Sequence, residues 1–87
     1  MSNGSIWVVY ILKSSVSGVL YTGITNDLNK RVKSHNAGKG AKFTRAGRPW
    51  TVVYQEPVQD KSAALRREIA IKKLTREQKL TLIQAQR

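Results

Sequence analysis

The feature of the sequence that most constrains the fold is a pair of short apolar runs near the start of the chain. Residues 6–12 (IWVVYIL) and 19–24 (VLYTGI) are separated by the polar segment 13–18, a pattern that predicts an antiparallel β-hairpin. With residues 13–18 as the loop, Tyr10 is expected directly opposite Tyr21, with both phenols on one face and their Cβ atoms about 5 Å apart. The hairpin therefore predicts two neighbouring tyrosines.

The charge balance indicates a polyanionic partner. Sixteen Lys and Arg residues against five Asp and Glu residues give a formal net charge of +11, which favours fast, salt-dependent association with a nucleic acid. The alternatives are a solvated basic surface and a membrane-surface protein, but no segment reads as a strongly amphipathic basic helix with bulky aromatics. We expect DNA as the partner, with RNA as the alternative, and no membrane.

Length and cysteine content narrow the class of protein further. Eighty-seven residues predict one domain, residues 1–87, with one modest core. The absence of cysteine excludes disulfides, thiolate metal sites and cysteine nucleophiles, and suits a reducing compartment. The longest apolar run, residues 6–12, is too short to span a membrane, and residues 1–5 lack the features of a signal peptide. We expect an intracellular protein, cytoplasmic or nucleoid-associated, and not a secreted one.

A helix is predicted after the hairpin. Residues 25–27 (TND) supply capping groups for its start, and Ala37 with Gly38 ends it after Asn36. The face at spacing i, i+3, i+4 and i+7, which should turn towards the sheet, consists of Leu28, Arg31, Val32 and His35. An arginine and the only histidine of the chain are therefore expected to lean towards the sheet.

A basic glycine-rich segment and a third strand follow. Residues 38–49 (GKGAKFTRAGRP) are predicted as a loop. Its glycines and cations could cradle phosphates, although it is not a Walker sequence; the alternative is a flexible solvated loop. Residues 50–55 (WTVVYQ) are predicted as a strand that stops at Glu56 and Pro57.

Two helices complete the chain. Asp60 or Ser62 would cap a helix over 61–74, and a capping box of Thr75 and Gln78 would start the last helix. The order is strand, strand, helix, strand, helix, helix. This order predicts a mixed α+β domain in which helices cover a three-stranded sheet.

Among the five acidic residues, only Glu68 lies away from a predicted helix start or strand end. The four at such positions are Asp27, Asp60, Glu77 and Glu56. Glu68 stands in mid-helix among cations, beside an apolar face predicted to consist of Ala64, Leu65, Ile69 and Ile71. It could simply form an i, i+4 ion pair with Lys72. Alternatively it could hold one Mg²⁺, which needs only one or two carboxylates besides phosphate oxygens and waters. A structural zinc is not expected with one His and no Cys.

Hydrolysis of a phosphodiester would also need a group that takes a proton from water. A free tyrosine, with a pKa near 10, is a poor base at neutral pH, but a nearby cation lowers that pKa. Arg31 could supply such a field, and His35 could orient a phenol or take the proton itself. The alternative for Tyr10 and Tyr21 is that each is an ordinary aromatic of the sheet.

This ordered set of residues resembles the GIY-YIG nuclease family. Val8-Val9-Tyr10, ten residues and then Tyr21-Thr22-Gly23 look like its two tripeptides. An arginine follows eight positions after the glycine (Arg31), and a histidine four further on (His35). A glutamate on a later helix (Glu68) completes the set. The segments YTGITNDLNKRVKSHNAGKGAKFTR and ALRREIAIKKLT look like the small single-domain YhbQ-type branch, so the resemblance covers almost the whole chain.

The resemblance implies a three-stranded antiparallel sheet flanked by helices, and metal-dependent hydrolysis of phosphodiester bonds. In the family pattern, Tyr10 or Tyr21 is the general base or positions the water, and we favour Tyr10 as the base. Arg31 would stabilise charge on the phosphate and His35 would support the tyrosine. Glu68 would bind one divalent ion, Mg²⁺ or Mn²⁺.

The remaining motif positions refine this picture. Gly23 would keep space beside Tyr21 for backbone or substrate. Val8 stands where the motif has Gly, and Thr22 where it has Ile; both suit a strand. Many family members carry a separate DNA-binding domain, and none is expected in this chain.

The sequence thus predicts an endonuclease that acts on DNA in repair or processing, structure-guided or weakly sequence-specific, with single-stranded or branched DNA as natural targets. Affinity would come mainly from phosphate contacts. The cations expected to make them are Lys39, Lys42, Arg45, Arg48, Arg67, Lys72 and Lys73. Phe43 or Trp7 could stack on bases or belong to the core. The alternatives are a non-catalytic nucleic-acid-binding protein, such as an RNA-associated factor, and an accessory subunit whose protein partner supplies specificity.

Overall fold

The computed structural model of the protein describes residues 6–86 and contains one three-stranded sheet. Its strands are β1 (Trp7–Ser14), β2 (Leu20–Thr25) and β3 (Trp50–Val58). The order across the sheet is β2-β1-β3, and both pairings are antiparallel. The predicted α+β class and the order of elements are confirmed. Residues 1–5, on which the expected absence of a signal peptide depends, lie outside the described residues.

Three α-helices flank the sheet: α1 (Leu28–Asn36), α2 (Lys61–Lys72) and α3 (Arg76–Ala85). Each begins at a side-chain cap. The carboxylates of Asp27 and Asp60 accept from backbone N–H groups at 3.1 and 2.8 Å, and Thr75 with Gln78 forms the predicted capping box. Asp60, and not Ser62, therefore caps α2. None of the helices in the described part of the chain is long and apolar enough to cross a membrane.

The two faces of the sheet are covered by different helices. Val9 and Ile11 of β1 pack with Ala64 and Ile71 of α2 and with Ile83 of α3. The alternate residues of β1 face the opposite layer, where Tyr10 and Leu12 pack with Trp50 and with residues of α1. Side chains alternate between the faces of a strand, so the helical core and the predicted tyrosine face are separate.

The apolar face predicted for α2 is partly wrong. Ala64 and Ile71 are fully buried, but Leu65 and Ile69 are 42% and 54% exposed. Positions 64 and 71 are seven residues apart and share one stripe of the helix. Residues 65 and 69 lie on a neighbouring stripe that points away from the sheet.

The register of the hairpin differs by two residues from the predicted one. Tyr10 lies opposite Gly23, and Tyr21 lies opposite Leu12. The strand β1 continues to Ser14, whose hydroxyl accepts hydrogen bonds from the N–H groups of residues 16 and 17, both at 3.1 Å. This side-chain bonding tightens the turn. Because the shift is an even number of residues, both phenols remain on one face.

The third strand runs farther than predicted, through Glu56 and Pro57 to Val58. As an edge strand, β3 has one side unpaired in the ladder and therefore tolerates a proline. The side chain of Gln86 covers part of that free side, because it accepts from the backbone N–H of Gln55 at 3.1 Å and donates to its carbonyl at 2.6 Å.

One buried hydroxyl of the sheet predicts a stabilising substitution. Thr22 is only 4% exposed, and its hydroxyl has no hydrogen-bond partner within residues 6–86. Thr22→Val keeps the shape and removes an unsatisfied polar group, so we expect the free energy of unfolding to rise by about 1 kcal/mol. Urea unfolding of the purified protein measures this change.

Thr25 on the same strand is the matched control. Its hydroxyl accepts from the N–H of Asp27 at 3.1 Å, so Thr25→Val should lower stability by about 1 kcal/mol. A Thr22→Val protein that is less stable than the wild type would show that the hydroxyl of Thr22 is satisfied in solution.

Candidate active site

Four of the predicted site residues meet on the face of the sheet covered by α1. Tyr10 and Tyr21 reach it from β1 and β2, with ring centroids 6.4 Å apart. The imidazole of His35 lies 6.0 Å from the ring of Tyr10 and 5.2 Å from that of Tyr21, and packs edge-on against both. Arg31, one turn earlier on α1, lies beside both phenols, and both raise its pKa. The inward face predicted for α1 is confirmed for Arg31 and His35.

A chain of hydrogen bonds sets the tautomer of His35. The hydroxyl of Thr44 donates to the carbonyl of Ala41 at 2.7 Å and so has only its lone pairs left for His35 Nδ1, 2.8 Å away. Nδ1 must therefore carry a proton. Nε2 of the neutral ring is then an acceptor, and Tyr10 Oη donates to it at 2.9 Å. The network thus specifies which tautomer the neutral imidazole adopts, with the proton on Nδ1.

The basic segment 38–49 is partly ordered by this network. It contains a short 3₁₀ helix, Lys42–Arg45, where a loop was predicted. Thr44 in this helix is fully buried, and its carbonyl accepts from the indole N–H of Trp50 at 2.7 Å. A side chain at Gly40 would collide with the imidazole of His35. The segment therefore encloses His35, and the solvated-loop alternative does not describe this part of it.

Gly23 makes room for Tyr10 and not, as predicted, for backbone or substrate beside Tyr21. A Cβ at position 23 would lie 2.5 Å from Tyr10 Oη and 2.7 Å from its Cζ. The ring of Tyr10 therefore crosses β2 over the glycine. This closeness follows from the true register, in which Tyr10 and Gly23 are cross-strand partners.

Burial governs the titration of these groups. It raises the pKa of Tyr10 above its usual value, against the lowering effect of Arg31. It also lowers the pKa of His35, and the charge of Arg31 adds to that lowering. The phenol of Tyr10 beside it raises the pKa of Arg31. At neutral pH the site therefore holds a protonated Tyr10, a neutral His35 and a cationic Arg31.

Glu68 acts electrostatically on this cluster, and its side chain is only 17% exposed. Its carboxylate contributes to the raised pKa of Tyr10, although it sits on α2, which covers the other face of the sheet. Its direct partner is Lys72, with Nζ 3.2 Å from Oε2, as the structural alternative predicted. Within residues 6–86, no three side chains of His, Cys, Asp or Glu are grouped so that they could hold a metal ion.

The predicted nucleic-acid-binding cations differ in their contacts. Arg67 forms an ion pair with Glu56 at 2.9 Å, and the same carboxylate accepts from Tyr54 at 2.5 Å. Lys72 is paired with Glu68. The other five predicted cations are exposed. Within the described residues they belong to neither of these two ion pairs: Lys39, Lys42, Arg45, Arg48 and Lys73.

The fold and this cluster define a protein of the GIY-YIG class. The model of the GIY-YIG catalytic domain matches residues 6–81, and the chain belongs to this family, which is part of an endonuclease superfamily.

Among its relatives are proteins named UPF0213. Those of Staphylococcus aureus strains Mu3 and N315 are 55% identical over 75 residues, which cover 86% of this chain and 90% of theirs. The solution NMR structure of a UPF0213 protein from Bacillus halodurans is similar with a TM-score of 0.59 and 39% identity, and the match covers 92% of this chain and 84% of that one. The predicted resemblance to the YhbQ-type branch is confirmed.

The buried imidazole predicts a pH dependence of stability. An unfolded chain protonates its histidine near pH 6.5, whereas burial lowers the pKa of His35 in the folded protein. Between these two values the unfolded state binds more protons, so stability falls as the pH drops below about 6.5 and levels off below the folded pKa. Urea midpoints measured in small pH steps from about pH 7.5 to about pH 5 test this, because the carboxylates titrate mainly at lower pH.

His35→Gln is the control, because it keeps a hydrogen-bonding side chain of similar reach that does not titrate. Its urea midpoint should change little over this pH range. Parallel pH profiles of the wild type and His35→Gln would contradict the lowered pKa of His35.

Proposed function

We propose that this protein is a metal-dependent endonuclease that hydrolyses phosphodiester bonds in DNA, structure-guided or weakly sequence-specific, in DNA repair or processing. The observation that carries the proposal is the hydrogen-bonded set Tyr10–His35–Thr44 beside Tyr21 and Arg31. A neutral imidazole held in one tautomer, next to phenols and a guanidinium, suits proton transfer and stabilisation of phosphate charge. Membership of an endonuclease superfamily and the net charge of +11 support the same function.

The burial of the two phenols suggests different roles for them. Tyr10 is 1% exposed and donates a hydrogen bond to His35, whereas Tyr21 is only half-buried. We therefore assign contact with the attacking water to Tyr21, in preference to Tyr10, which the sequence favoured. Tyr10 donates to the unprotonated Nε2 of His35 and so holds the imidazole in place beside Tyr21.

We assign contact with the phosphate to Arg31. It is half-buried, lies beside both phenol oxygens, and lines a small cleft of about 190 Å³ with residues 25–27, Lys30 and Ser34. A guanidinium in such a position donates charge-assisted hydrogen bonds to phosphate oxygens and stabilises the charge that develops as the bond to the leaving oxygen breaks.

The donor set fits one hard divalent cation. Glu68 is a single carboxylate, and the ammonium of Lys72 already stands 3.2 Å from it, where a cation is electrostatically favoured. Mg²⁺ or Mn²⁺ completes its coordination with waters and phosphate oxygens and so needs no further protein ligand. When bound, the ion would supply positive charge to the scissile phosphate.

The same ion pair also favours the alternative function, a nucleic-acid-binding protein without catalysis. In that case Lys72 occupies Glu68 permanently, and the carboxylate has only a structural role. A cleavage assay separates the two functions.

The test compares cleavage of single-stranded, duplex and branched DNA in Mg²⁺ or Mn²⁺ by the wild type, Tyr21→Phe and Glu68→Gln. Tyr21→Phe removes the hydroxyl that we assign to the attacking water and should slow cleavage about 10²- to 10⁴-fold. Glu68→Gln should abolish cleavage because the metal loses its ligand. Both variants should still bind DNA in EDTA, since the phosphate contacts remain.

Two matched controls make the result specific. Tyr54→Phe removes a phenol hydroxyl that bonds Glu56 on the opposite face, and Glu77→Gln removes an exposed carboxylate in the first turn of α3; both should cut like the wild type. Undiminished cleavage by Glu68→Gln would refute the metal assignment. A wild type that binds DNA with a steep salt dependence and never cuts would establish the binding protein instead.

A further inference from the structure

The side chain of Phe43, which lies outside the hydrogen-bonded cluster, is exposed to solvent. Phe43 is 59% exposed, whereas its neighbour Thr44 is fully buried. The hydrogen bonds of Thr44 to His35 and Trp50 anchor the 3₁₀ helix from below. The anchored turn therefore presents Phe43 outwards in a fixed place.

The ring of Phe43 extends an aromatic surface that starts at the candidate active site. Its plane is tilted by only 21° from that of Tyr21, and the two ring centroids are 6.0 Å apart. The ring of Trp50 also lies close, with its centroid 6.4 Å from that of Phe43. Because Phe43 is 59% exposed, much of its ring remains open to solvent. By contrast, Trp7 packs against the α2 side of the core and has the ammonium of Lys61 over its ring.

The space beside Phe43 is small and lies next to cations. A cleft of about 240 Å³ is lined by Phe43, Trp50, Val19, Ala46, Gly47 and Ser17, below the 300–1,000 Å³ typical of sites for drug-sized ligands. Lys42 and Arg45 flank Phe43 in the chain and are exposed. Residues 38–49 contain no acidic residue, so the surroundings favour an anion with a small flat apolar group.

We propose that Phe43 is the stacking platform for one unpaired base of single-stranded DNA, next to the scissile phosphate at Tyr21 and Arg31. The inference rests on the proposed function, since it takes DNA as the substrate. Every base has a flat face, so stacking on an aromatic ring binds a strand without reading its sequence, while cations follow the backbone. In a duplex the base faces are covered by their neighbours, so the platform selects unpaired strands.

Binding without cleavage tests the proposal. Fluorescence anisotropy in EDTA compares the wild type, Phe43→Ala, Phe43→Leu and Phe43→Trp on a labelled oligothymidine, a fully abasic strand of equal length and a blunt duplex of two complementary strands. Phe43→Ala should weaken binding of oligothymidine about 5- to 150-fold, the loss expected for one stacked base. Phe43→Leu should behave like Phe43→Ala, and Phe43→Trp like the wild type.

The other substrates make the loss specific to bases. On the abasic strand and the duplex, all four proteins should bind equally, with the same salt dependence, because the phosphate contacts are unchanged. Equal urea midpoints would confirm that the variants are folded, as expected for an exposed position.

Four outcomes would overturn the proposal. Unchanged binding of oligothymidine by Phe43→Ala, or equal losses on all three substrates, would refute the platform and leave the proposed function standing. A change in sedimentation of Phe43→Ala without a change in affinity for oligothymidine would identify the patch as a contact between copies of the chain. A wild type that binds no nucleic acid would contradict the proposed function itself.

Discussion

The buried imidazole of His35 is the group on which the candidate site depends. It is completely enclosed, and a buried polar ring is stable only when its nitrogens are bonded. Tyr10 satisfies one nitrogen from the sheet, and Thr44 satisfies the other from the basic segment. One side chain of α1 thereby connects the central strand to the segment that carries Phe43. Loss of either partner would leave a buried nitrogen without a hydrogen bond, at a cost of about 1–3 kcal/mol.

The elements of the fold were predictable because their signals are local. The apolar runs of the hairpin, the cap at Asp27 and the capping box of Thr75 and Gln78 each depend on a few neighbouring residues. The register was not predictable in this way, since the side-chain bonds of Ser14 decide where the turn begins. An error of two residues preserved the face of both phenols and concealed that Gly23 is the partner of Tyr10.

The site was predictable in its residue types and less so in its contacts. The helical period alone placed Arg31 and His35 towards the sheet, and an inward histidine implies hydrogen-bond partners. The helical period does not identify the residues around the imidazole. Thr44, which bonds it, and Gly40, which leaves room for it, lie in a segment whose composition indicates only a loop. The exposure of Phe43 and the burial of Tyr10 likewise depend on how that segment folds over α1, which no local pattern encodes.

The central claim is that Tyr10 and Thr44 hold the buried imidazole of His35 in one tautomer. A measurement of the protonation state of His35 tests this claim most directly. It is the only histidine of the chain, so ¹⁵N-labelled histidine in untagged protein gives one pair of ring-nitrogen resonances. The hydrogen-bond network, together with the burial that lowers the pKa of His35, predicts at neutral pH a protonated Nδ1 and an unprotonated Nε2 that accepts from Tyr10. In Tyr10→Phe the Nε2 resonance should move while Nδ1 remains protonated. A ring protonated at Nε2, or a cationic imidazolium at neutral pH, would contradict the account.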